Sequence, residues 1–240
     1  MLSLLAAFAV GAVASASASA QRWVVCEEVA GEGTEPPTKY DEHKCNTQVK
    51  ALKERKWEWK ELLAEEHRKV KSHNVGTFTL HATVGGIKVK ISCTAVKDTG
   101  EIWGGNPGTD EDSIEFEGCT VTEPTGKGCK VHGAGLVVGR INVSNVKTKL
   151  EVLGGVLTDT FTPAAPPTFV EIVIEGCEGG AKALNNPYKI EGTSGGVVVA
   201  GTGKLKFTAT SSNLKFGGEP AKLEGETETE LENGSAIKAE

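Results

Sequence analysis

Thr77-Phe78-Thr79-Leu80-His81-Ala82-Thr83-Val84, then Gly85-Gly86, then Ile87-Lys88-Val89-Lys90-Ile91-Ser92-Cys93, is the stretch that decides the fold. Apolar side chains return at every second position on both sides of the glycine pair, the period of a pleated strand with one buried face. A Gly-Gly pair between two such runs signals a two-residue hairpin, because the tightest hairpin turns need positive φ at their central residues. Working outward, further runs come at Val137–Val143, Lys147–Leu153, Phe169–Ile174, Lys204–Thr210 and Lys222–Glu232. They are punctuated by Gly154-Gly155, Gly195-Gly196, Gly217-Gly218 and Asn233-Gly234. Short strands with turns at that spacing predict an all-β fold, an antiparallel β-sandwich first and a β-barrel as the alternative. Only Thr47–Ser72 competes as helix, with Leu52, Trp59, Leu63 and Val70 at helical spacings. The alternation in Trp57-Glu58-Trp59 favours a strand near Trp57–Leu62, with one short helix within 47–72 as the alternative.

Export is the second expectation. Leu4–Val13 is an apolar run too short to span a bilayer, and Ala14-Ser15-Ala16-Ser17-Ala18-Ser19-Ala20 supplies small residues for cleavage before Gln21. Residues 1–20 are therefore expected to be a signal peptide, although nothing basic precedes the apolar run. Residues 21–240 then form one disulfide-bearing all-β domain with no integral membrane span. A net charge of −6 spread along the 240 residues disfavours nucleic acid, since a phosphate backbone rewards clustered Lys and Arg. Hydrophobic residues at 38% and charged residues at 24% exclude a wholly disordered chain.

Six cysteines in an exported chain predict three disulfides, though number alone does not choose their connectivity. Cys119 and Cys129 flank the turn-rich Glu123-Pro124-Thr125-Gly126-Lys127-Gly128, and Cys26 and Cys45 bracket a Gly/Pro-rich loop. That spacing suggests Cys26–Cys45, Cys119–Cys129 and, as the long-range remainder, Cys93–Cys177. No Cys-x-x-Cys or His-x-x-x-His spacing argues for zinc, and no cofactor is expected.

Trp23-x-x-Cys26, Cys45, Trp57-x-Trp59, Ile91-x-Cys93, Gly108-Thr109-Asp110-Glu111, Ile114-x-Phe116-x-x-Cys119 and Cys129-x-Val131 form a pattern over roughly residues 21–131. It resembles a group of exported, Cys-containing, β-rich bacterial proteins without assigned activity. The resemblance implies an extracellular all-β protein and transfers no active site.

Four features carry candidate chemistry. Gly192-Thr193-Ser194-Gly195-Gly196 is similar to the Gly-x-Ser-Gly-Gly around the nucleophile of chymotrypsin-type proteases, which need a His to take the Ser proton. Thr193 stands where that family has Asp, and none of the five His sits in the matching context, so turn chemistry explains the same letters better. Asp110, Glu111 and Asp112 after a Gly/Pro-rich loop offer oxygen ligands for Ca²⁺, but a solvated loop tip is the favoured reading. Glu224, Glu226, Glu228, Glu230 and Glu232 alternate, which places them on one solvent-facing side of a strand, with Lys88/Lys90, Lys147/Lys149 or Lys204/Lys206 as cross-strand partners. Trp57 and Trp59 would share a face and offer a stacking platform to a cell-envelope polysaccharide. The expected function is a secreted or cell-wall-associated binding or structural protein, with an extracellular serine hydrolase using Ser194 as the alternative.

Overall fold

The computed structural model describes residues 21–29, 40–48 and 57–240; the expected signal peptide at 1–20 lies outside the described residues. In chain order the strands are β1 (Trp23–Glu28), β2 (Trp57–Glu61), β3 (His67–Asn74), β4 (Phe78–Val84), β5 (Ile87–Cys93), β6 (Ala95–Trp103), β7 (Thr109–Glu117) and β8 (Thr120–Glu123). They continue as β9 (Lys130–Gly133), β10 (Ile141–Leu153), β11 (Val156–Pro163), β12 (Thr168–Glu175), β13 (Asn186–Val198), β14 (Lys204–Phe216), β15 (Glu219–Leu231) and β16 (Ile237–Ala239). The all-β expectation holds. The short helix falls at Gly179–Leu184 instead of within 47–72, where 57–61 and 67–74 are strand and 49–56 lie outside the described residues. β4 and β5 form the expected hairpin, paired from Phe78↔Cys93 to Val84↔Ile87, with positive φ at both Gly85 and Gly86.

Of the two expected arrangements the chain takes the barrel. β3, β6, β7, β10, β11, β13, β14 and β15 pair in turn, each antiparallel to the next, and β15 returns to β3. Closure of this kind removes the exposed edges that an open sheet must protect. β13, β14 and β15 are 13 residues each, and their far halves project beyond the barrel into a second lobe. There β15 pairs with β4, then β5 and β8 follow, while β13 pairs with β12 and β12 with β9. At the opposite end a three-stranded sheet, β16-β1-β2, closes the barrel: Trp23, Val25 and Ile237 pack with Ile102, Leu150 and Leu231.

Two expected runs, Val137–Val143 and Lys147–Leu153, merge into the single strand β10, which is bulged between Val143 and Val146 with Asn145 at φ 55°. The bulge shifts the alternation by one residue, so Val143 and Val146 both face inward. Val137 and Val138 lie in the turn before this strand and are exposed.

Cys26 and Cys45 are bonded, but the other two bridges are Cys93–Cys119 and Cys129–Cys177, not Cys119–Cys129 and Cys93–Cys177. Strand pairing explains the correction. β8 pairs with β5 (Thr120↔Ser92), which carries Cys119 to Cys93, and β9 pairs with β12 (Lys130↔Glu175), which carries Cys129 to Cys177. The turn-rich segment between Cys119 and Cys129 instead separates two strands with different partners.

The outer surface is charged. Lys204 Nζ lies 3.6 and 3.7 Å from Glu226 and Glu228, Lys71 Nζ 3.4 Å from Glu230, and His81 Nε2 3.3 Å from Glu224. The glutamate stripe is therefore a sheet face with cross-strand partners, and Lys204 alone of the expected lysines supplies ion pairs to it. Charged outside and apolar inside is the reverse of the alternation in a membrane barrel. Among the described residues no helix is long and apolar enough to cross a membrane.

Candidate functional site

Alternation sends every second side chain of each barrel strand inward, yet apolar residues do not fill all those positions. Reading along β6, Val96 and Ile102 bracket Asp98 and Gly100; on β10, Val146 and Leu150 bracket Thr148; on β11, Leu157 and Phe161 bracket Asp159. β7 contributes Asp110 and Asp112 before Ile114, β3 contributes Ser72 after Val70, and β15 contributes Thr227 and Thr229 before Leu231. The result is a polar belt between two apolar clusters. One cluster centres on Trp23, Leu150 and Leu231 at the capped end; the other holds Phe78, Phe161 and Phe207 toward the second lobe.

A cavity of about 130 Å³ occupies this region, lined by the four aspartates together with Ser72 and Ser194 and otherwise mostly by apolar side chains. Gly100 makes room for the belt: it pairs with Asp112, and a Cβ there would lie 2.0 Å from Asp112 Oδ1. Hydrogen bonding leaves the acids short of partners. Ser72 and Thr229 satisfy each other at 2.8 Å, but Asp98 Oδ1, Asp110 Oδ1, Asp112 Oδ1 and both oxygens of Asp159 are buried without a partner. The indole Nε1 of Trp23, only 4% exposed, is also unpartnered and lines the same cavity from the capping sheet. Buried polar groups in folded proteins are ordinarily paired, so this concentration requires an explanation.

Electrostatics gives the same picture. Burial pushes Asp98 up to about 7, with the Ser72 hydroxyl and the Thr99 N–H pulling the other way. Burial likewise pushes Asp159 up to about 7; the Thr148 hydroxyl beside it pulls the other way but, itself unpartnered, does not reach hydrogen-bond geometry with the carboxyl. Asp110 and Asp112 are raised well above the carboxylate range, by burial first and then by the charge of the neighbouring aspartates. Burial thus makes all four carboxyls harder to ionise than an exposed aspartate, and the neighbouring charges add to this for Asp110 and Asp112.

Asp110 and Asp112 correct the loop-tip expectation: they lie on β7, buried and facing inward, while Glu111 between them is exposed. Among the described residues no group of three or more acidic, His or Cys side chains converges to hold a metal ion, so the Ca²⁺ alternative gains no support from them. Ser194 also faces the cavity, and its Oγ exchanges a hydrogen bond with Ser212 Oγ at 3.0 Å. The five histidines have other environments: His81 lies at Thr79 and Glu224, His132 at Gly133 and Glu175, His67 at Glu101, His43 beside Trp57, and His73 opposite Lys97 and Glu228. Trp57 and Trp59 sit on β2, half-buried against the Cys26–Cys45 bridge and Tyr40, and the Lys238 ammonium covers the Trp59 ring at 4.9 Å.

Sequence reasoning missed Asp98 and Asp159. The available signal was parity: each is an acid in phase with apolar neighbours, Val96 and Ile102 for the first, Leu157 and Phe161 for the second. These features define a closed eight-stranded antiparallel barrel with an acidic belt inside an apolar chamber. No family model, curated protein or solved structure matches the chain.

Proposed function

We propose that the protein is an exported β-barrel, extracellular or cell-wall-associated, that acts by binding a small ligand inside the barrel. One observation carries this reading: five aspartate oxygens without partners on residues lining a small cavity within the barrel, where apolar side chains would have packed at lower cost. An unpartnered buried polar group costs about 1–3 kcal/mol, and a ligand that supplies the missing partners returns that energy as affinity. Three disulfides are consistent with an oxidising environment and support export. The hydrolase alternative is weaker because Ser194 bonds to Ser212 and has no histidine base beside it. Retention on wall polysaccharide through Trp57 and Trp59 is weaker too, since Lys238 already occupies the Trp59 face.

The test is thermal unfolding of the oxidised full chain with benzene and with 1-butanol, probes matched to a cavity near the size that admits benzene. A saturable rise in melting temperature, abolished by a bulky cavity-filling substitution such as Ser194→Phe in a variant with unchanged circular dichroism, is expected. No rise with any probe of this size, charged or neutral, would overturn the reading. Fractionation of producing cells tests export separately: the chain starting near Gln21 is expected outside the membrane.

A further inference from the structure

This inference rests on the binding reading above and names the class of ligand. From the belt of Asp98, Asp110, Asp112 and Asp159 set in an apolar chamber, we infer that the barrel takes a small organic cation, an ammonium group on a compact apolar body.

The two halves of that ligand follow from two kinds of wall. Phe78, Phe116, Phe161 and Phe207 lie in edge-on or tilted contact through Phe78 and Phe207, with ring centroids 5.4 to 6.1 Å apart, and line the cavity. Such a surface binds apolar carbon, and it places aromatic rings near any cation held by the belt. The acids lie on three strands of one wall, β6, β7 and β11, and no Lys, Arg or His among the described residues lines the cavity to neutralise them. An anionic ligand would meet like charge, and a neutral one would leave the acids holding their protons. A metal ion is disfavoured because no three of these groups converge on one point among the described residues. An ammonium needs no such convergence of three acids, because one carboxylate and the aromatic rings nearby suffice to hold it.

One observation independent of the acids points to an occupant. Trp23 comes from the capping sheet, outside the barrel, and lines the same cavity, and its buried indole N–H has no acceptor; this donor calls for an acceptor atom and so bears on occupancy, not on the ligand's charge. Gly100 keeps space beside Asp112 where any side chain would collide with the carboxylate, so its lack of a side chain preserves the acid's position. The cavity, about 130 Å³, limits the ligand to a handful of non-hydrogen atoms.

Binding exchanges protons. Below about pH 7 the ammonium enters already protonated, a belt carboxyl releases its proton to solvent, and the resulting carboxylate accepts hydrogen bonds from the ammonium. The titratable groups facing the site are the four aspartates, with Glu111 outside on β7 adding to the charge felt by Asp112. β1, β3, β13 and β15 present Trp23, Ser72, Ser194, Thr227 and Thr229 there, and β10 places Thr148 beside Asp159.

The experiment is isothermal titration calorimetry of the oxidised full chain with butylamine, 1-butanol and butyrate, at pH 8 and pH 5, in buffers of different ionisation enthalpy. Butylamine is expected to bind at pH 8 at least about 10-fold more tightly than 1-butanol, with butyrate not binding. At pH 5 its affinity is expected to fall about 100-fold, the ratio for displacing one proton from a carboxyl two units above the working pH, and binding there is expected to release about one proton that shows as a buffer-dependent heat. Asp112→Asn/Asp159→Asn, a variant that removes charge and keeps shape, is expected to lose the preference for amine while retaining 1-butanol binding. Equal binding of butylamine and 1-butanol at pH 8, or butylamine binding at pH 5 without proton release, would overturn the cation inference and leave the binding reading standing. Failure of all three probes, together with the neutral probes above, would overturn both.

Discussion

The barrel and the second lobe share β13, β14 and β15, yet their interiors are filled by opposite rules. In the second lobe Phe216, Ile172, Ile174 and Leu184 are almost completely buried, Tyr188 stacks on Phe216 at 4.9 Å, and two disulfides tie β5 to the approach to β8 and the approach to β9 to the end of β12. In the barrel the matching inward positions carry Asp98, Asp112 and Asp159, with Asp110 beside them. Alternation along a strand decides what faces in, but not whether what faces in is good for stability. The lobe packed for stability supplies the rigidity that allows the neighbouring barrel to keep a belt of poorly satisfied acids, a division expected where function costs stability.

The largest effect should come from opening the well-packed lobe. Phe216→Ala is expected to destabilise the protein by about 3–5 kcal/mol in urea unfolding, the range for removing a fully buried aromatic ring. A loss under 1 kcal/mol would mean that this lobe does not anchor the fold. Next, replacing Cys129 and Cys177 together by alanine removes a cross-link spanning 48 residues, and should cost about 2–4 kcal/mol in the same measurement. The barrel should respond with the opposite sign. Asp159→Asn is expected to raise stability by about 1–3 kcal/mol at pH 8, because it deletes a buried charge without opening a cavity; destabilisation at pH 8 would show that the carboxylate is satisfied by the fold. Smallest of all, Lys204→Ala on the outer face should change stability by about 0.2–1 kcal/mol, less at high salt, since its pairs with Glu226 and Glu228 are solvent-screened.

The contrast also explains what the sequence disclosed. Period-two patterning and paired glycines disclose an all-β chain and the Phe78–Cys93 hairpin, because those signals are local. Closure of β15 onto β3 is a contact between Leu231 and Val70, far apart in sequence, and no local pattern encodes it. The disulfides mislead for the same reason: loop length brings Cys119 toward Cys129, whereas strand partners carry each elsewhere. The belt was half legible. Asp110 and Asp112 stood out as a cluster, but the preceding Gly104-Gly105-Asn106-Pro107-Gly108 reads as a loop and hides that Thr109 already begins β7. Asp98 and Asp159 are single acids, and only their phase with Val96, Ile102, Leu157 and Phe161 marks them as inward.

The central claim is that the acidic belt opposes folding and is kept for its ligand, and the most direct test is stability against pH for the unliganded protein and for Asp159→Asn. A carboxyl raised from its ordinary value near 4 to about 7 in the folded state adds stability that is fully present below about pH 4 and is lost as pH rises through 7. The wild-type melting temperature is therefore expected to fall steadily from pH 4 to pH 8, with a shallower fall in Asp159→Asn. Wild-type stability that rises over this range, or a variant with an unchanged slope, would contradict the claim.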